Sequence, residues 1–155
     1  MNNMANKAIL VQGGDGTAVP AGMVGEVIAA TAIGASVTIN TSDTTVTDIT
    51  LSKGRWHLFW SLVVTNLPAS IFTYDYIGIT NSGGAHTAGT WLRQLAYSAL
   101  VQVRHPYSNS IVVDVSTDGT VYYLKGNKVD SGTGSVVIVE VATDVQPKLY
   151  AIRIA

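Results

Sequence analysis

The stretch Thr44–Thr65, TTVTDITLSKGRWHLFWSLVVT, decides how the chain folds. From Arg55 onward the residues alternate strictly. Trp56, Leu58, Trp60, Leu62 and Val64 fall on one side; Arg55, His57, Phe59, Ser61 and Val63 fall on the other. Successive side chains of a β-strand leave opposite faces of the sheet, so an alternation this long predicts a strand. Burying two Trp and two Leu on one face contributes roughly 6–10 kcal/mol gross at ~25 cal/mol per Å². Ahead of this strand, Val46, Ile49 and Leu51 lead up to Ser52-Lys53-Gly54. The pattern predicts a hairpin whose turn is those three residues and whose core face carries the tryptophans. Phe59 and Val63 make the second face apolar as well. A strand apolar on both faces needs cover on both, and a neighbouring subunit is one way to supply it. Phe59 and Val63 are therefore the expected trimer contacts.

Further strands follow in both directions. Upstream, Glu26–Ile33 (EVIAATAI) and Ser36–Thr41 (SVTINT) read as strands. Downstream, so do Ile71–Thr80 (IFTYDYIGIT), Ser110–Val115 (SIVVDV), Thr120–Lys125 (TVYYLK), Ser135–Ala142 (SVVIVEVA) and Leu149–Ile154 (LYAIRI). In Trp91–Val103 the Leu, Ala, Arg and Gln favour helix, but Ser98–Val103 alternates, and a strand from about Leu95 is expected. Asn81–Gly89, His105–Asn109 and Gly126–Gly134 read as loops. Asp118-Gly119 reads as the turn of a second hairpin, because it supplies the positive φ angles such turns need. Short strands at regular spacing, without a long helix, predict an all-β fold, an antiparallel β-sandwich of the jelly-roll kind.

A chain of 155 residues with a net charge of −1 is expected to form one domain with a full core of its own. There is no cysteine, which excludes thiol chemistry and thiolate metal sites. Only 12% of residues are charged, about half the usual share. The surface must then be rich in Thr, Ser and Asn, or a large area must be buried between subunits; both are expected. Scattered Lys and Arg argue against nucleic acid, which needs a clustered basic face. No signal peptide is visible, and no apolar run reaches the ~18 residues of a membrane helix. Synthesis in the cytoplasm and no membrane insertion are expected. Residues 1–25 read as an arm and 26–155 as the domain. Within the arm, Ala8, Ile9, Leu10 and Val11 form one short apolar run ahead of the turn-rich Gly13–Gly22, and these four residues are the candidate anchor.

The residues offer no catalytic set. His57, His86 and His105 show no HxxxH or HxH spacing, so no metal is expected. Asp43, Asp48, Asp114 and Asp118 read as turn caps and solvated strand positions. The Gly13–Gly16 cluster lacks the phosphate-loop pattern, and no GxSxG is present. No enzyme activity and no cofactor are expected. Trp91, His105 and Tyr107 fall at expected loops or loop edges. They serve either as rim packing or as a contact patch for a receptor, stacking on a surface glycan.

Taken in order, GDGTAVPAGMVGEVI (Gly14–Ile28), ITLSKGRWHLFWSLVV (Ile49–Val64), YIGIT (Tyr76–Thr80), VYYLKG (Val121–Gly126) and the closing LYAIRIA resemble a module of bacteriophage tail fibres and related virion proteins. The resemblance implies a trimeric jelly-roll lobe, similar in plan to tumour-necrosis-factor-like domains. It also implies a location on the virion, with capsid or tail proteins as partners. A tail fibre carries a long shaft before this module, and here only a short stretch precedes it. The expectation is therefore a small homotrimer seated directly on the capsid as a decoration protein. The alternative is the glycan-recognising tip of a short tail fibre.

Overall fold

The computed structural model describes residues 21–31, 33–67, 73–81, 92–96, 103–130, 136–139, 141 and 146–155. Ten strands are described: β1 (Val27–Ala29), β2 (Val37–Ile39), β3 (Thr44–Leu51), β4 (Gly54–Leu67), β5 (Thr73–Asn81), β6 (Leu92–Ala96), β7 (Val103–Val115), β8 (Thr120–Asp130), β9 (Val136–Val139) and β10 (Lys148–Arg153). They form two antiparallel sheets, a β-sandwich. The first is centred on β4: β7 pairs along one edge, β10 and then β9 share the other, and β1 and β2 lie outside β10 and β9. The second has the order β3-β8-β5-β6.

The expected alternation of β4 is present. Trp56, Leu58, Trp60, Leu62 and Val64 are all buried, while Arg55, His57, Phe59, Ser61 and Val63 lie on the opposite, outer face. Across the core they meet Val46, Ile49, Leu51, Ile77, Ile79, Tyr122 and Leu124 of the second sheet. Burial pushes the Tyr122 phenol above its ordinary range, and the Asp114 carboxylate adds to the effect.

Two expected hairpins do not exist. β3 pairs with β8 and β4 pairs with β7, so Ser52-Lys53 crosses from one sheet to the other. Ser116–Gly119 makes the same crossing between β7 and β8. Alternation shows which face of a strand is buried, but an arch over the core and a hairpin present the same alternation. The two crossings lie side by side: Lys53 N donates to Asp118 Oδ1 at 2.6 Å and Gly119 N to the Leu51 carbonyl at 3.1 Å. Gly119 has the positive φ, 79°, that Asp-Gly suggested. The result is one long two-stranded ribbon, Thr44–Asn66 against Val103–Gly126, folded over the core at these arches.

Other boundaries also moved. His105–Asn109 is part of β7, not a loop. Among the described pairings β7 has only β4 as a neighbour, and an edge strand tolerates Pro106 because its missing N–H leaves no ladder partner unpaired. Gly126 likewise lies inside β8 and not at the start of a loop. A Cβ there would sit 2.6 Å from Ile39 Cδ1 and 2.9 Å from Ile77 Cδ1, so only glycine lets these two pack over the strand. β6 begins at Leu92, before the expected start, where pairing with β5 overrides its helix-favouring composition.

The two buried tryptophans differ in one respect. Trp56 Nε1 donates to the Ser52 carbonyl at 2.9 Å, whereas Trp60 Nε1 has no hydrogen-bond partner among the described residues. Replacing Trp56 by Phe removes the donor that meets the Ser52 carbonyl at the arch; replacing Trp60 by Phe removes a buried donor that has no partner among the described residues. Thermal denaturation should find Trp56→Phe less stable than Trp60→Phe by about 1–2 kcal/mol. Trp60→Ala, by contrast, should lose roughly 3–5 kcal/mol.

Candidate functional site

Directly opposed residues of an antiparallel pair share a face. The strand register therefore shows what the outer face of the β4 sheet presents. One row runs Val27, Ile152, His57, Val112. The next runs Ala29, Tyr150, Phe59, Ser110. Beyond these lie Lys148, Ser61 and Ser108, then Val63 and Pro106. Val27 is 61% and Val112 42% exposed, and Met23, Val24 and Ile154 are exposed as well.

Phe59, one of the two expected subunit contacts, sits at the centre of a ring stack. Its ring lies parallel to Tyr150 at 5.1 Å between centroids and 3.9 Å from His57. All three rings are half-buried. Beside the stack is an open groove bordered by Ser61, Ser108, Asn109 and Ser110. Val63, the other expected contact, is half-buried and borders a second open groove with Pro106 and Lys148. The charges at this end are Arg55 and Asp114, paired at 3.5 Å and largely exposed, so their attraction stabilises the lobe by no more than ~1 kcal/mol. By register the outer face of the second sheet carries Thr45, Asp48, Thr50, Val121, Tyr123 and Lys125, and Thr80 on the same side is fully buried.

Of the three residues of the expected receptor patch, Tyr107 is the one whose side chain is described. Tyr107 was expected at a loop edge. It lies within β7, opposite Leu62, and is buried at 7% exposure, so its ring belongs to the core. His105 is in the same strand; Trp91 lies outside the described residues, as does the expected anchor Ala8–Val11. Among the described residues, no group of three or more His, Asp or Glu is placed to hold a metal, and no helix is long and apolar enough to cross a membrane.

Sequence reasoning missed a second cluster, at the arch. Arg153 and Glu26 are both buried. Arg153 Nε donates to Glu26 Oε2 at 3.0 Å, Nη1 to the Lys53 carbonyl at 2.6 Å and Nη2 to Ser52 Oγ. Its guanidinium lies over the Trp56 ring, 4.5 Å from the centroid. The same Glu26 oxygen accepts from Gly22 N at 2.7 Å. Gly54 has φ 149°, and a side chain there would collide with the guanidinium. A lone arginine in an alternating strand, at an inward position, was the available signal. A buried charge implies a partner, but its location 127 residues away is not written locally.

Compared with models of known protein families and with curated proteins, the chain matches none. The surface and the arch therefore stand on their own geometry.

Removing one member of a buried pair leaves the other charged and uncompensated. Arg153→Met should destabilise the protein by about 3–5 kcal/mol, which is roughly 10 °C in melting temperature at this chain length. The double variant Glu26→Gln/Arg153→Met should recover part of that loss in the same melting experiment, since neither buried charge remains.

Proposed function

We propose that this chain is a non-enzymatic structural protein of a bacteriophage particle. In this reading it is a homotrimeric jelly roll that decorates the capsid and is held there by its N-terminal arm. The jelly-roll reading is supported by nested pairing. The chain folds in half, and β1 pairs β10, β3 pairs β8, β4 pairs β7 and β5 pairs β6. In that plan β2 and β9 are an added pair on the free half of the β4 edge.

The observation that carries the trimeric reading is the outer face of the β4 sheet. A His57–Phe59–Tyr150 ring cluster flanked by Val27, Ile152 and Val112 is a poor surface to leave in water; Arg55 and Asp114 beside it pair with each other, and Lys148 lies one row beyond Tyr150. Apolar, aromatic-rich and charge-poor centres are what protein–protein interfaces share. Sedimentation equilibrium should give a trimer for the wild type. Phe59→Lys should sediment at one third of that mass with little change in the lobe's melting temperature. A wild-type monomer at micromolar concentration would refute the assembly.

The arm reading is supported by how the lobe begins. The turn at Gly22–Gly25 is bonded to Glu26 and to the Arg153 backbone, which roots whatever precedes it in the sandwich. An apolar run as short as Ala8–Val11 is not stable alone in water, but it gains main-chain hydrogen bonds when added to the edge of a partner's sheet. Three arms on one trimer would engage together, turning a weak contact into a tight one. Deleting residues 1–15 should leave melting temperature and oligomeric state nearly unchanged while abolishing loading onto undecorated particles. Full occupancy by the truncated protein would place the anchor in the lobe. The alternative, a glycan-reading tail tip, loses Tyr107 as a contact because that ring packs in the core.

A further inference from the structure

We infer that the apolar run Ala8–Val11 of the arm folds back onto the arch end of its own lobe, against a patch formed by Met23, Val24, Val27, Val112 and Ile154. The inference rests on the arm reading above and specifies where the arm lies before it meets a particle. Among the described residues these five are the large hydrophobic side chains left exposed: Met23 54%, Val24 46%, Val27 61%, Val112 42% and Ile154 41%. Singly such residues need no explanation, but all five gather at one end. Val27 and Val112 are the outer members of the row that runs through Ile152 and His57. Ile154 lies one step beyond that row, its N–H donating to the Arg55 carbonyl at 2.8 Å. Met23 and Val24 stand in the turn that reaches the Arg153 carbonyl through Gly25 N, also at 2.8 Å.

Met23 and Val24 are exposed by the way the turn is built, not by fraying. Gly22 and Gly25, on either side of them, take left-handed φ angles of 82° and 93°. Gly22 N donates to Glu26 Oε2 at 2.7 Å, and Glu26 N to the Met23 carbonyl at 3.0 Å. That carboxylate is itself buried and held by Arg153. A turn pinned to a buried ion pair thus keeps two apolar side chains in water. The same turn is where residues 1–20 join the lobe.

The occupant follows from where that segment ends and from what it carries. Ala8-Ile9-Leu10-Val11 is an uncharged aliphatic run, matched in chemistry to the patch. Val11 and Met23 are twelve positions apart, up to ~40 Å of extended chain, whereas the face from β1 to β7 spans three strand spacings, about 14 Å. The run therefore reaches every residue of the patch once the chain reverses, and Gly13-Gly14-Asp15-Gly16 supplies turn chemistry for the reversal. Tethering holds the run at the roughly millimolar effective concentration of a short linker. Burying its aliphatic side chains is offset by the entropy lost in ordering it, so the contact depends on the tether. It yields to a partner's sheet edge, which offers main-chain hydrogen bonds as well. Placed at the arch end, the run leaves the Phe59–Tyr150 stack to the subunit contact.

The test uses the full chain, which has no cysteine, so Asn6→Cys gives a single attachment point for a nitroxide. In protein with labelled Met, Val and Ile methyl groups, the nitroxide should erase the signals of Met23, Val24, Val27, Val112 and Ile154. It should spare Val121, which starts from the same end of the sandwich but faces outward on the second sheet. Adding Ile9→Ser/Leu10→Ser to the spin-labelled chain should restore the erased signals. The inference is overturned if the patch is not broadened, if Val121 is broadened equally, or if the broadening survives Ile9→Ser/Leu10→Ser. With isotope and nitroxide on different copies, unfolded and refolded together, the patch signals should persist. Their loss there means that a neighbouring copy's arm lies on the patch, and it overturns the same-chain assignment. The anchor is judged separately. If deleting residues 1–15 abolishes loading while the patch shows no broadening, only the folded-back position falls. If the patch broadens while the truncated protein loads fully, only the anchor falls.

Discussion

The buried guanidinium of Arg153 is the contact on which the closure of this sandwich depends. It binds three parts of the chain that are distant in sequence: Glu26 at the start of the first strand, Ser52 and Lys53 where the chain crosses between sheets, and Trp56 at the base of the central strand. A planar group with several fixed donors can hold a carboxylate, a carbonyl and a hydroxyl at once while its face rests on an indole; an ammonium has neither the plane nor the fork. Such a cluster is not evidence of great stability, because desolvating both charges offsets most of their attraction. Its contribution is positional. It holds the arch at Ser52-Lys53 against the last strand, which also gives Gly54 its reason for being glycine.

From that corner the rest of the architecture follows. The arch at Ser52-Lys53 lies against the arch at Ser116–Gly119, so the ribbon bends at one place on both of its strands. Because pairing is nested, the outermost pair, β1 with β10, joins nearly the two ends of the described chain. Loop closure for such pairs is costly before any contact rewards it, which makes this topology a slow folder compared with a helical bundle. The innermost pair, β5 with β6, is the most local and the natural place for pairing to begin.

The two outer faces explain the unusual composition. Among the described residues, one sheet's outer face carries Thr, Tyr, Val121 and a few charges, while the other presents rings and aliphatic side chains beside the Arg55–Asp114 pair, Lys148 and two serines. Low charge is thus concentrated into a surface instead of being spread evenly.

Much of the sandwich is legible from period-two alternation. The residues of β4 declare both their faces, so Trp56, Trp60 and their neighbours were identifiable as core, and Phe59 and Val63 as an outward apolar set, before any fold was drawn. The Asp118-Gly119 turn chemistry was also readable. Partner choice was not. A strand's alternation is the same whether it returns beside its neighbour or crosses the core, so two arches looked like hairpins. An edge position that tolerates Pro106 made a loop of what is strand, and that placed Tyr107 at the surface when its ring lies in the core. The sequence by itself determined which side chains must leave water, because hydrophobic spacing is local. Only the tertiary structure decided which strands meet, where Arg153 finds Glu26, and which rings stack around Phe59, because those pairings join residues far apart in the chain through geometry that no local window contains.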